Sequence, residues 1–289
     1  MEQEWLQVSH RKRRGKGRSN RRFHVISTSE EAVQPVAEVS KGTQEQLIQR
    51  VHSIIDVIRP SLLLQDALRL ILSHYETTPS ANGLTLIGYG LGSFCASSNA
   101  LHQLGFFVAL KRALDQKLTH VSTTTPDTRD PPPLSIEIFD PAMNKSDAVI
   151  AEHFHLTVLQ ENEHAQRRIS RPTVFFMPHC AHILYHNVLA CNWGPALQHL
   201  LIIGNSFSAY TDRRHPTLDE QSPHLLVTVS PYVHEVPLSY AVASTHEAFA
   251  RYHAAFHDLS LHAFPSTLVE HVLAPPDPAP PCSSTPRSG

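Results

Sequence analysis

The 289-residue chain, 41% apolar and 17% charged, has material for one large α/β domain with tails, and its composition is ordinary for a globular protein. No apolar run approaches the ~20 residues of a membrane span, and no short apolar core follows a charged start at the N-terminus. The expectation is a protein that stays inside the cell, with its four cysteines, Cys95, Cys180, Cys191 and Cys282, reduced rather than built into a disulfide scaffold.

The formal charge of −2 conceals an asymmetry, because Arg11, Lys12, Arg13, Arg14, Lys16, Arg18, Arg21 and Arg22 crowd one stretch. Residues 1–42 show no sustained apolar period and read as a disordered basic tail. Such a run suits an import receptor, or nucleic acid through long-range attraction, and its lack of interleaved aromatics argues against sequence-specific RNA reading. The 21 histidines should make the net charge rise as pH falls toward 6.

From residue 43 the apolar spacing becomes regular. Leu47, Val51, Ile54, Ile55 and Ile58 predict one helix, Pro60 breaks it, and Leu64, Leu68, Ile71 and Tyr75 predict a second. Strands and helices then alternate: a strand at Leu84–Tyr89, a long helix at Ser93–Leu118, a Thr- and Pro-rich surface insertion at 119–134, and a strand at Ser135–Asp140. A helix at Lys145–His153, a strand at His155–Gln160, a short helix at Asn162–Ile169, a strand at Thr173–Met177, a helix at Ala181–Asn192 and a strand at Leu200–Gly204 follow. Beyond Ser206 the pattern weakens to a strand in "HLLVTVS", a helix at Thr245–His257 and an edge strand in "LSLHAF", before a Pro-rich tail at 274–289. Strands joined by helices of this length are parallel and buried on both faces. The fold class expected is α/β, a doubly wound, mostly parallel, Rossmann-like sheet in a single domain over 43–273.

In open parallel sheets ligands gather at the carboxyl ends of the strands, near the point where strand order reverses. There the first strand delivers Gly88, Gly90, Gly92 and Ser93, the second Asp140, the fourth His179 and Cys180, and the fifth Gly204, Asn205 and Ser206. Glycines at a strand end let backbone N–H groups approach an anion at the next helix's N-terminus, and an acid ending the second strand suits ribose hydroxyls. The spacing G-x-G-x-G is closer to the loop of S-adenosylmethionine-dependent methyltransferases than to the dinucleotide pattern, and it is equally compatible with a tight corner holding no ligand.

His179, Cys180, His182 and His186 form the densest cluster of potential ligands for a metal or haem, with His182 and His186 four apart on a helix. No carboxylate or zinc-type cysteine pair completes the set. Cys180, between a strand and a helix N-terminus, reads either as a low-pKa reactive thiol partnered by a histidine and Asn205 or as a buried, inert one. Trp193 and Phe207 read as packing residues, and Glu161 and Glu163, pointing to opposite sides of a strand end, do not suit paired acid–base work.

"GYGLGSF", "IFDPAM", "ENEHAQRRI", "PTVFFMPHC", "LYHNVLACNW", "LIIGNSF" and "AFHDLSLHAFP" occur in the order found in the Sensitivity-to-Red-Light-Reduced-like family, which the chain resembles over Leu84–Pro265, apart from 119–134 and 211–230. His257 stands where that family's last motif usually has asparagine, while Asp258, Ser260 and His262 keep the rest. The resemblance implies a regulatory protein of cytoplasm and nucleus, tied to light signalling, the circadian clock or haem biosynthesis, without a firmly attached catalytic activity.

The leading expectation is therefore a regulator acting through protein partners and a small-molecule pocket of Gly88, Gly90, Gly92, Asp140, His179, Cys180, Asn205 and Ser206. A methyltransferase-like enzyme binding S-adenosylmethionine or a nucleotide, and a haem sensor ligated by His179 or Cys180, are the alternatives.

Overall fold

The computed structural model describes residues 36–76, 83–122, 134–212 and 225–266. The basic run at 11–22, most of the insertion and the C-terminal Pro-rich stretch lie outside them. Two helices open the fold, α1 (Lys41–Ile58) and α2 (Leu62–Glu76), with Pro60 in the turn between them. β1 (Thr85–Tyr89), α3 (Ser98–Ser122), β2 (Ser135–Phe139), α4 (Lys145–His153), β3 (Thr157–Val158), β4 (Thr173–Met177), α5 (His182–Cys191) and β5 (Leu200–Asn205) follow. After them come α6 (Phe207–Asp212), α7 (Leu225–Val229), β6 (His234–Pro237), α8 (Phe249–Phe256) and β7 (Leu259–Ala263).

The strands form one sheet in the order β3-β2-β1-β4-β5-β7-β6. β3 through β5 are mutually parallel, whereas β7 runs antiparallel to both β5 and β6. The mixed α/β class and the mostly parallel sheet thus agree with the sequence reading. Strand order reverses between β1 and β4, since the chain moves outward from β1 through β2 to β3 and then returns to the other side of β1.

Alternation along the strands builds two cores. Leu86, Val174, Phe176, Leu201 and Ile203 face α1, α2, α3 and α8. Ile87, Phe175, Met177, Leu200 and Ile202 face α5 and α7. Burial on both faces is why these strands read as continuous apolar runs.

Four local expectations are corrected. α3 begins at Ser98, not Ser93, because Leu91–Ser97 turn on their own and Ser97 Oγ accepts the Ala100 N–H at 3.3 Å. Residues 162–169 are not helical: His164 and Ala165 adopt φ of 48° and 57°, and Asn162 Oδ1 accepts the His164 N–H at 2.9 Å. Such an Asx turn competes with a helix. "LLVTV" is helix α7, since Leu225, Leu226 and Val229 all bury on one face. β7 lies inside the sheet, and the edge belongs to β6, which carries Pro237 where a ladder donor is not needed.

Residues just before α1 are also held in place. Val39 N–H donates to Ser146 Oγ at 3.0 Å, and Asn144 Nδ2 donates to the carbonyls of Val36 at 3.1 Å and Ala37 at 3.2 Å. Ser40 then caps α1, accepting from Thr43 N–H.

Candidate functional site

The carboxyl ends of β1, β2, β4 and β5 and the start of the reversed β7 share one edge of the sheet. Two groupings form there. In the first, Gly90 and Gly92 take φ of 72° and 75°, the left-handed region that glycine tolerates. The Gly92 N–H donates to Asp140 Oδ2 at 2.8 Å, and the Ala142 N–H donates to Oδ1 at 2.8 Å. Gly90 N–H continues the ladder to the Phe139 carbonyl at 3.1 Å.

The glycine loop and the acid expected to face a ligand here bond each other instead. The amide that would face a phosphate holds the protein's own carboxylate. Helix α3 also starts several residues past the glycines, so its N-terminus does not open directly from them.

Cys180 closes this corner. Its buried sulfur donates to the Tyr89 carbonyl at 3.4 Å, and a Cβ added to Gly90 would overlap it. Burial, helped by the charge of Asp140, pushes the thiol far above the ordinary cysteine range. Burial and a thiol pKa raised by desolvation favour the inert reading of Cys180 over the low-pKa one.

The second grouping is more open, with His179, His257 and Asp258 at the surface and Asn205, Ser206 and His253 half-buried. His179, at φ 54°, receives no help from glycine; its backbone is held by a 2.6 Å hydrogen bond from its N–H to Asn205 Oδ1. Its ring Nε2 bonds the Ala255 carbonyl at 3.1 Å, and Asn205 Nδ2 lies 3.5 Å from Nδ1. Asn205 is fixed in turn by Tyr185, whose hydroxyl accepts the Asn205 N–H at 3.0 Å and donates to the Met177 carbonyl. The His257 ring lies 4.5 Å from that of His179, and His253 stacks 5.4 Å beyond it. Ser206 N–H donates to the carbonyl of Asp258, itself at φ 63°.

Burial first, and then the facing His257, lower the His179 pKa from the ordinary histidine value. A neutral ring offering one donor and one acceptor is the result near pH 7. His179, Asn205 and Ser206 are thus brought together as expected. His253, His257 and Asp258 join them from the end of α8, a juxtaposition that strand-end reading alone had not supplied.

The metal expectation fares differently. His182 is exposed, whereas His186 is buried and accepts the Leu225 N–H at 3.4 Å. Among the described residues no group of three or more His, Cys, Asp or Glu side chains is placed to hold a metal ion. Glu163 is committed to structure, accepting the Tyr89 hydroxyl at 2.5 Å and pairing with Arg167 at 2.8 Å.

His262 is buried completely, stacked on Phe207 at 3.9 Å, with Nδ1 bonding the Ile202 carbonyl and Nε2 at 3.8 Å from Glu235 Oε2. Burial depresses its pKa to about 4, against the opposing pull of Glu235. Folded protein therefore keeps this ring neutral while unfolded chain protonates it below about pH 6.5. Stability is complete above that pH and falls as pH drops toward 4. Urea unfolding at pH 7.5 and pH 5 should show about 2 kcal/mol more acid loss in wild type than in His262→Gln; equal losses would mean the ring is protonated when folded.

Every residue of this edge falls within residues 51–263, which match the model of the SRR1 domain. The chain belongs to the SRR1 family. An SRR1-like protein of Mus musculus is 33% identical over 136 residues, 46% of this chain and 49% of the relative. Protein SENSITIVITY TO RED LIGHT REDUCED 1 of Arabidopsis thaliana is 29% identical over 188 residues, 65% and 61% of the two chains. An SRR1-like protein of Drosophila melanogaster is 29% identical over 181 residues, 62% and 55%. The match thus spans about half to three-fifths of these relatives' lengths. No solved structure matches the chain.

Two of the SRR1 motifs that carried the resemblance are tied to each other. Asn187 Nδ2 bonds the His164 carbonyl, and Asn192 holds Ile169 N–H and the Arg167 carbonyl, so "LYHNVLACNW" grips "ENEHAQRRI".

Proposed function

We propose that this protein is a regulator in light-dependent or clock-linked control, working by binding rather than by catalysis, with His179, Asn205, Ser206, His257 and Asp258 as its contact residues. Membership of the SRR1 family, with a relative whose name records reduced sensitivity to red light, supports the regulatory reading. The observation that carries the site is the contrast along one edge: the glycine corner is filled by Asp140 and Cys180, while the polar groups around His179 stand open. Protein partners suit such a surface. Residence in both cytoplasm and nucleus fits the basic run at Arg11–Arg22.

A nucleoside-type ligand such as S-adenosylmethionine is the second reading, favoured by the placement of Asp140 against the glycine loop, where each carboxylate oxygen retains accepting capacity. A haem-linked role has less support, since Cys180 turns inward and the His179 ring already bonds the Ala255 carbonyl through Nε2.

Expression of the full chain in Arabidopsis lacking its SRR1 relative tests the leading reading. Wild type should restore the red-light response, and a folded His179→Ala/His257→Ala variant should not. Absence of rescue by wild type would overturn the regulatory assignment; undiminished rescue by the double variant would overturn the site.

A further inference from the structure

At the opposite edge of the sheet, where β1 and β4 begin, the loop leading into β4 carries "RRISR". It lines a half-open cavity of about 100 Å³ together with Thr85, Thr173 and Glu137. That volume equals roughly three waters of liquid, enough for one tetrahedral oxyanion. Arg167, Arg168 and Arg171 all border it, and each is fixed by a different device.

Arg167 is clamped by two carboxylates, Glu137 at 2.7 Å and Glu163 at 2.8 Å. Arg171 donates through Nε to Thr85 Oγ1 at 2.7 Å. Arg168 has an exposed side chain but a fastened backbone: Asn192, itself buried, accepts the Ile169 N–H at 2.8 Å and donates to the Arg167 carbonyl at 2.9 Å. The residues on both sides of Arg168 are thus gripped by one amide.

Glu137 lines the cavity with Arg167, Arg168 and Arg171, and Glu163 pairs with Arg167 beside it, so arginines outnumber carboxylates here by three to two. Hydroxyls of Ser170, Thr85 and Thr173 stand beside them. The Arg171 guanidinium, held on Thr85 before a ligand arrives, loses little freedom on binding, the fastened backbone fixes where the Arg168 side chain starts, and both forks match the geometry of phosphate oxygens. A solvated surface loop would need none of this anchoring.

We propose that this cleft binds the phosphoryl group of a small molecule, with Arg168 and Arg171 as its direct contacts and Asn192 as a positioning residue. The site is separate from the His179 edge and does not depend on its assignment. The cavity admits only the phosphoryl head, leaving the remainder of an ester in solvent.

Inorganic phosphate and phenyl phosphate, titrated into the full chain by calorimetry against sodium chloride of matched ionic strength, test the proposal. Both should bind above the chloride background, and Arg168→Ala should weaken binding about tenfold or more, with Arg168→Lys falling between. The Arg168 side chain is exposed, so its variants should fold, and an unchanged circular dichroism spectrum and melting temperature would establish that. Tighter binding of phenyl phosphate would identify an ester as the natural form, and tighter binding of inorganic phosphate the free ion. Heat no greater than with chloride, or affinity unaltered in Arg168→Ala, would overturn the site.

Discussion

Gly90→Ala is expected to lower the free energy of unfolding by about 2–3 kcal/mol, even though one methyl group is all that it adds. Two effects combine. The residue sits at φ 72°, where an L side chain costs about 1–2 kcal/mol. The new Cβ would also occupy the place of the Cys180 sulfur. Cys180 cannot yield easily, because it is buried at the junction of β4 and α5 and its sulfur bonds the Tyr89 carbonyl.

A double-mutant cycle separates the two effects. In a Cys180→Ala background the overlap disappears, so Gly90→Ala should there cost only the backbone part, about 1–2 kcal/mol. Urea denaturation of the four proteins measures this. An equal cost in both backgrounds would show that the sulfur is not what the glycine makes room for. The cycle also alters what a Gly90 variant reports: loss of a ligand on substituting Gly90 would follow from disrupted packing as readily as from a blocked cradle.

The sequence reading reached far where burial set the pattern and stopped where distant groups did. β4 and α4 occur at the residues expected, since a doubly buried strand and a capped amphipathic helix write themselves in local spacing. The start of α3 was misplaced because N–H groups of Gly92 and Cys95 are satisfied by Asp140 and Asp147, 48 and 52 residues later. Nothing local announces such caps.

Similarly, the stretch 162–169 looked helical by composition, yet Asn187 and Asn192 supply the partners that let it bend otherwise. At the candidate site, His179, Asn205 and Ser206 were legible because the parallel strands all end at one edge. His253 and His257 were not, because reversed β7 carries the end of α8 to that edge, and a reversal is invisible until the pairing is known. That the glycine loop and Asp140 share this edge was also legible, but not that the Gly92 N–H would be taken by the Asp140 carboxylate.

Asp147→Ala should be the most damaging single change outside the apolar core, lowering stability by about 3–4 kcal/mol. The carboxylate is fully buried and serves two elements at once. Oδ2 accepts the Asn144 N–H at 2.9 Å, completing a capping box at the start of α4, and Oδ1 accepts the Cys95 N–H at 2.9 Å in the turn after the glycine loop. Removing it strands two amides, the Asn144 N–H of the capping box and the Cys95 N–H, each costing about 1–3 kcal/mol when left buried without a partner.

Asp147→Asn keeps one accepting oxygen but turns an amide donor toward the other N–H, so an intermediate loss is expected. Cys95 supplies a local readout: burial and its contact with Asp147 push its thiol up to about 12. Opening the turn should expose that sulfur, and peptide-resolved alkylation at fixed pH should then label Cys95 faster in Asp147→Ala than in wild type. A loss below 1 kcal/mol with unchanged labelling would mean the turn keeps its shape without the carboxylate. The expected result would instead make Asp147 the joint between three regions. Its neighbours Asn144 and Ser146 hold residues 36–39, its own oxygens hold α4 and the Cys95 turn, and that turn leads directly back to Gly92 and Asp140. A disturbance at the junction between the N-terminal segment and α4 would then reach the carboxyl edge of the sheet through hydrogen bonds alone.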